Sequence, residues 1–316
     1  MTYSDRFEQV DCGLCGSSLN STIYRYCLGQ DVLNIVKCRN CGCIYLTPRP
    51  RSDKIGEFYQ DDYYSFKIDT GNADEQISAK DAFRYTVMKH HFGYAKIDSS
   101  KELPIPPRLS ALFRSFVAVP HYREAGRLLD VGCGAGQKLL EFRALGWDVR
   151  GAELSEQAVA AARKMGLDVA RTDVAHSPWP AESFSAVTFY HSLEHLPSPR
   201  LALRESFRLL EPGGELLVAV PNFGCLERKL FGRNWNWLEV PRHFYHFTRA
   251  SLTRVVAETG FKVEWVGFSP FGGSAGPLFP NTWPKARMIS DKMIRAFATG
   301  CAMAGSGKAL IVSARK

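Results

Sequence analysis

Residues 128–136 read Leu128-Leu129-Asp130-Val131-Gly132-Cys133-Gly134-Ala135-Gly136. The apolar residues predict a buried strand that runs into Asp130-x-Gly132-x-Gly134-x-Gly136. Three alternating glycines let the backbone turn tightly, with no Cβ between it and a ligand. A helix starting near Gln137 would then aim its free N–H groups at that ligand. A dinucleotide fingerprint has its third glycine one position later, where Gln137 stands, so a nicotinamide site fits badly.

Outward from this turn, strands and helices alternate. Strands are expected at 127–132, 148–153, 167–172, 184–190 and 215–220, and helices at 137–145, 155–165 and 199–210. Ser198 with Pro199 starts a helix well, because proline at the first helical position loses no needed hydrogen bond. Gly146, Gly166 and Pro212-Gly213-Gly214 are natural stops. Such alternation specifies an α/β fold with a parallel sheet covered on both faces. An aromatic-rich insertion follows Pro221 to about residue 247, then a helix at 249–259, a strand at 261–268 and a last strand at 308–314. Upstream, Thr47-Pro48-Arg49-Pro50 closes a cysteine-rich segment, since a proline disfavours helix in the residue before it. The expected units are a module at 1–50, a helical connector or lid at 51–122 and a catalytic domain at 123–316.

The second strand ends in Glu153, about 20 residues beyond the first glycine, where a carboxylate can accept hydrogen bonds from both hydroxyls of a ribose. The third ends in Asp173. As local features these would be a helix-start acid and a turn residue. Together with Asp130, Gly132, Gly134 and Gly136 they line one edge of the sheet, where open α/β folds bind ligands. In order, spacing and residue type, residues 127–220 resemble class I S-adenosylmethionine (SAM)-dependent methyltransferases. The resemblance implies a doubly wound, seven-stranded Rossmann-like sheet with a late antiparallel strand, supplied by 308–314. It also implies SAM as cofactor, with Asp173 facing the adenine amino group and Tyr190 beside the cofactor.

After the fourth strand comes Tyr190-His191-Ser192-Leu193-Glu194-His195, where methyltransferase substrates meet the sulfonium methyl. SAM is already activated, so the enzyme mainly aligns a nucleophile and removes its proton. Histidine titrates near neutrality and suits that task. If helical, His191 and His195 would share a face, with Glu194 beside them. HxxEH also spells an inverted zinc-protease motif, but that motif belongs on a long helix of another fold. The Glu194-His195 pair, the cysteine-rich module and the tyrosines after it (Tyr59, Tyr63, Tyr64) look like bacterial sugar C-methyltransferases. These act on nucleotide-linked keto-sugars with a histidine base. The segment also resembles O-methyltransferases of ubiquinone synthesis and of small-RNA ends. In these, ExxEH and a downstream histidine hold a divalent metal; here His191 replaces the first Glu, and His243 or His246 would be the distant ligand. The bland alternative is a histidine that only caps the strand and packs.

Cys12-x-x-Cys15 and Cys38-x-x-Cys41 are each followed by glycine. Two residues between thiolates let both reach one tetrahedral ion, so the pairs predict a closed, structural zinc site. Cys43 could replace Cys41, and Cys27 reads as core. The insertion Trp235-Asn236-Trp237-Leu238-Glu239-Val240-Pro241-Arg242-His243 would overhang the reacting end. Its aromatics and arginine suit a sugar, base or phosphate-bearing substrate, or the tryptophans simply close the core. Tyr63, Tyr64, Trp237, Arg242 and His243 are the substrate candidates.

Bulk properties bound the rest. At 316 residues, 45% hydrophobic and 23% charged, with mean hydropathy −0.18, the chain is ordinary for a globular protein. No run of about 18 apolar residues predicts a membrane span, and the N-terminus does not read as a signal peptide. Nine cysteines without an export signal imply reduced thiols in a cytoplasm. A net charge of +8 favours anionic partners in general: nucleotide-linked substrates, nucleic acid or a membrane surface. The stretch 284–302 could graze a membrane surface, but reads better as a partner helix or a plain surface helix. An RNA methyltransferase is the second function considered. Lysines and arginines form no runs, and no Asn/Asp-Pro-Pro-Tyr motif follows the fourth strand, so nucleic acid is disfavoured. A third is a non-enzymatic SAM-binding scaffold, disfavoured by the histidine pair.

Overall fold

A computed structural model describes residues 4–59, 79–269 and 299–316. The chain opens with a short strand β1 (Phe7–Glu8) and a three-stranded antiparallel meander of β2 (Asn20–Leu28), β3 (Asp31–Cys38) and β4 (Ile44–Thr47). β5 (Arg49–Pro50) returns to pair with β1. Then come α1 (Ala79–His91) and α2 (Pro107–Ser110).

The large sheet follows as β6 (Arg127–Val131), α3 (Gln137–Ala144), β7 (Asp148–Glu153), α4 (Glu156–Lys164), β8 (Val169–Arg171), β9 (Phe184–Tyr190), α5 (Pro199–Leu209) and β10 (Leu210–Pro221). α6 (Leu226–Phe231), α7 (Arg249–Glu258), β11 (Lys262–Ser269) and β12 (Ala309–Arg315) complete it. The seven strands lie in the order β11-β12-β10-β9-β6-β7-β8. Six run in the same direction, and β12 alone runs antiparallel, between β10 and β11, as the resemblance implied. β9 and β12 are buried along nearly their whole length, the signature of strands covered on both faces.

Local signals explain the boundaries. Ser155 caps α4 by accepting from the Ala158 amide at 3.3 Å, and Thr248 with Ser251 forms a capping box on α7. One boundary differs from expectation. β10 begins at Leu210, because Pro212-Gly213-Gly214 forms an irregularity between the Leu210 and Glu215 pairings with β9 instead of ending structure.

The cysteine module and the large sheet share one apolar core. Cys12, Leu14, Val36, Cys38, Cys43 and Tyr45 cluster with Leu193, Phe244, Tyr245 and the inner faces of β9 and β10. Cys27, expected in a core, is exposed because it lies on a largely solvated face of β2. Among the described residues no helix is long and apolar enough to cross a membrane. Most of the 284–302 stretch lies outside the described residues.

Candidate active site

The glycine turn joins β6 to α3 with positive φ at all three glycines: +71° at Gly132, +54° at Gly134 and +93° at Gly136. Two of them are demanded by the protein's own packing. A Cβ at Gly132 would stand 2.5 Å from the Ser192 Cβ, and one at Gly136 would collide with Leu167. The turn therefore seats against the segment after β9 on one side and against the end of α4 on the other.

Asp130 is buried in the middle of the sheet, where Thr188 donates to its Oδ1 at 2.7 Å. Burial pushes its pKa up to about 7, against the lowering pull of Thr188 and Lys138. Glu153 is organised by three backbone amides. Gly134 N–H donates to its Oε2 at 3.0 Å, and the N–H groups of Leu154 and Ser155 donate to Oε1 at 2.8 Å each. The carboxylate thus ties the glycine turn to the head of α4 and keeps lone pairs for a ligand's hydroxyls. Asp173 accepts from the Ala175 N–H at 3.1 Å and caps a short turn, with its side chain 39% exposed. Tyr190, at the end of β9, donates its hydroxyl to the Ala118 carbonyl at 2.7 Å, and Lys138 Nζ lies 5.4 Å from its ring centroid. Asp130, the glycines, Glu153, Asp173 and Tyr190 all lie at or near the carboxyl ends of β6 to β9. Two-pronged acceptors beside a glycine cradle form a donor and acceptor set that fits a nucleoside cofactor such as SAM.

The segment after β9 is not the helix that would put His191 and His195 on one face. His191 takes a positive φ of +52°, and only Leu193–His195 forms a single 3₁₀ turn. A left-handed histidine is tolerated but uncommon, and such backbone collects at functional sites. His191 packs edge-on against Trp237 and holds Nδ1 3.6 Å from Glu194 Oε1. Glu194 is fully buried, and neither carboxylate oxygen hydrogen-bonds a described residue. A buried carboxylate without a hydrogen bond is costly, so a cation or a ligand donor is called for.

His195 places Nδ1 3.1 Å from the Arg242 carbonyl and 3.1 Å from the Tyr59 hydroxyl. A carbonyl only accepts, so Nδ1 carries the proton and Nε2 the lone pair. His243 is held in the same way, with Nδ1 3.0 Å from the Trp237 carbonyl. Burial, with His195 and His246 nearby, holds its pKa well below the ordinary value. Burial alone takes His246 down to about 3. Donor atoms of Glu194, His195 and His243 all lie within 4.8 Å of one another. His246 is not part of that group.

Of the substrate candidates, Arg242 lies over the Tyr59 ring and pairs with Glu239 at 3.0 Å. Trp235 and Trp237 are buried and stacked on each other, 6.1 Å between centroids. Tyr63 and Tyr64 lie outside the described residues. In the sequence nothing distinguishes Tyr59 from the rest of the tyrosine cluster. Neither a motif nor a spacing ties it to His195, 136 positions away.

The four cysteines Cys12, Cys15, Cys38 and Cys41 bring their sulfurs within 4.8 Å of one another, with Cys12 to Cys41 at 3.5 Å and Cys15 to Cys38 at 3.6 Å. Thiolates about 2.3 Å from a tetrahedral zinc stand about 3.8 Å apart, so the set fits that ion. Gly16 and Gly42, at φ of +73° and +70°, turn the chain after each second cysteine. Cys43 lies outside the group, and its Sγ lies 3.8 Å from the carbonyl of Ile44.

A family profile described as a methyltransferase domain matches residues 106–266, just over half of the chain. The chain belongs to the methyltransferase domain family. A Mycolicibacterium smegmatis protein named "Probable S-adenosylmethionine-dependent methyltransferase" is 32% identical over 146 residues, 45% of this chain and 55% of that protein. A ubiquinone biosynthesis O-methyltransferase of Xanthomonas oryzae pv. oryzae is 36% identical over 104 residues, 30% of this chain and 43% of the relative. This methyltransferase-domain chain thus spans about half the length of the curated relatives it matches. Among solved structures, a SAM-dependent methyltransferase from Archaeoglobus fulgidus superposes with a TM-score of 0.46 at 18% identity, covering 66% of this chain and 91% of that one.

Proposed function

We propose that the protein is a SAM-dependent methyltransferase that acts on a small biosynthetic intermediate, a sugar carried on a nucleotide or a related anionic precursor. The glycine turn with Asp130, Glu153 and Asp173 holds the cofactor, and Tyr190 walls it. When bound, SAM supplies a methyl group already activated as a sulfonium. The chain's task is then to seat the acceptor beside that group and to take its proton.

The observation that carries this reading is the anchoring of His195. Its Nδ1–H donates to the Arg242 carbonyl, so Nε2 is fixed as a proton acceptor just past the carboxyl end of β9. The acceptor's proton passes to Nε2, and the imidazolium formed is stabilised by the buried Glu194 carboxylate beside it. Arg242 and Trp237, with His243, border the same space and suit a phosphate-bearing, sugar-like acceptor. Reduced thiols in a cytoplasm and a zinc ion bound by Cys12, Cys15, Cys38 and Cys41 complete the proposal, the zinc being structural because four thiolates leave no open position.

A second reading is favoured by one observation, the two unpaired oxygens of Glu194 within 4.8 Å of His195 and His243. Each histidine gives its other nitrogen to a backbone carbonyl, as metal ligands commonly do. Glu194, His195 and His243 would then hold a divalent cation that lowers the pKa of an acceptor hydroxyl, and the transfer would be to oxygen.

Incubation with methyl-labelled SAM and a fractionated cell extract tests the function, with label expected in a small anionic metabolite. Label in RNA, with affinity falling steeply as salt rises, would replace this reading by the RNA one. One metal per chain supports His195 as a direct base; a second, required for transfer, supports the cation.

A further inference from the structure

Glu194 and His195 sit on a segment with little regular structure; besides Tyr59 and the ends of the sheet strands, this segment is held by the cysteine module and the loop it pairs with. The Glu194 carbonyl accepts from two successive amides, Phe244 N–H at 2.9 Å and Tyr245 N–H at 3.1 Å. The Pro197 carbonyl accepts from the Tyr245 hydroxyl at 3.2 Å and from Arg49 at 2.9 Å. The loop 244–246 pairs antiparallel with β4 through a single bridge. Leu46 N–H donates to the Phe244 carbonyl and His246 N–H to the Ile44 carbonyl, both at 2.9 Å, around a Tyr45–Tyr245 bridge. Arg49 lies over the Phe244 ring and pairs with Glu8.

The tightest contact in this chain of support is at Gly13, inside the first cysteine pair. A Cβ there would fall on the Tyr245 hydroxyl and stand 3.1 Å from the ring carbon that bears it. The knuckle between Cys12 and Cys15 is therefore moulded onto Tyr245, which reaches from it to Pro197, two residues beyond His195.

We infer that the cysteine knuckle is a positioning element of the reacting end: through the Gly13–Tyr245 contact and the β4 pairing, it fixes where Glu194, His195 and His243 stand. The inference rests on the reading of those residues as the reacting end. Gly13 and Tyr245 are positioning residues and touch no substrate. The knuckle approaches the phenol so closely that only a glycine admits it at position 13. The knuckle thus sets the height of Tyr245, and Tyr245 sets the height of the 193–197 segment.

The test uses the full chain and amide hydrogen exchange, which does not depend on turnover. Gly13→Ala should speed exchange at 193–197 and 244–246 by about tenfold or more, with β6 and β7 and the bound zinc unchanged. Adding Tyr245→Phe to Gly13→Ala removes the colliding oxygen and should bring exchange at 244–246 back toward wild type. Transfer from labelled SAM to the acceptor fraction should follow the same order. Tyr245→Phe alone leaves the knuckle intact and should speed exchange at 193–197 by about threefold. The inference is overturned if either single variant leaves 193–197 at the wild-type rate, if exchange rises evenly across the large sheet, or if the double variant shows no recovery. A wild-type protein that transfers no methyl group would overturn the proposed function and leave the exchange result standing.

Discussion

The two halves of the candidate site are built in opposite ways. The candidate cofactor half, from Asp130 to Asp173, consists of residues at the ends of successive parallel strands, each held by the adjoining strand or by amides of the strand-end turns. Glu153 is held by the amides of the next two residues and by one glycine of the turn. The reacting half is assembled from segments remote in sequence. His195 meets Tyr59 and Arg242, and Glu194 meets the amides of 244 and 245. A site made of strand ends inherits its geometry from the sheet, whereas a site made of loops needs a separate scaffold to hold it.

Four changes would sharpen or break that contrast. The largest effect is expected from Cys38→Ser. Loss of the zinc proposed at this site should cost several kcal/mol of stability and lower the melting temperature by about 10 °C or more in a thermal scan with parallel metal analysis. A variant that stays zinc-free with an unchanged melting temperature would sever the module from the core. Next, His195→Asn should lower methyl transfer about 10²–10⁴-fold while calorimetry finds SAM bound as before. Full turnover would reduce His195 to packing. Glu153→Ala should do the reverse, weakening SAM binding about 10–100-fold in the same calorimeter with the fold retained.

The smallest effect concerns pH. The Asp130 pKa is raised in the folded state from 3.8 to about 7, so the folded protein holds a proton that the unfolded chain releases earlier. Stability from this group is full below the unfolded value and is lost as pH rises to about 7. Denaturant unfolding of Asp130→Asn between pH 4 and 7 should show a flatter dependence than wild type. Equal slopes would mean that Asp130 is ionised throughout.

The contrast also explains what the sequence could disclose. The turn 130–136, the strand-end acids and both cysteine pairs were legible because their spacing is local and their residue types have few other uses. The positive φ of Gly16 and Gly42 is what glycine after each cysteine pair suggests. Period and propensity do not encode which distant side chain docks on which loop, so Tyr59 was passed over in favour of Tyr63 and Tyr64. The HxxEH spacing pointed to a shared helical face, yet His191 takes the left-handed region and the segment shortens to one turn, with the Ser192 side chain packed against Gly132. Asp130 and Gly136 illustrate a subtler limit. The sequence marks them as important, but only the structure shows that one is buried beneath the turn and the other relieved against Leu167.

The placement of β12 between β10 and β11 has a consequence for biosynthesis. As the chain leaves the ribosome, β10 has one flank hydrogen-bonded to β9 and the other bare until residues 309–315 emerge. A long, apolar strand with an open flank is a ready template for wrong partners. The nascent protein should therefore lean on chaperones most heavily during the translation of the roughly ninety residues between those two strands.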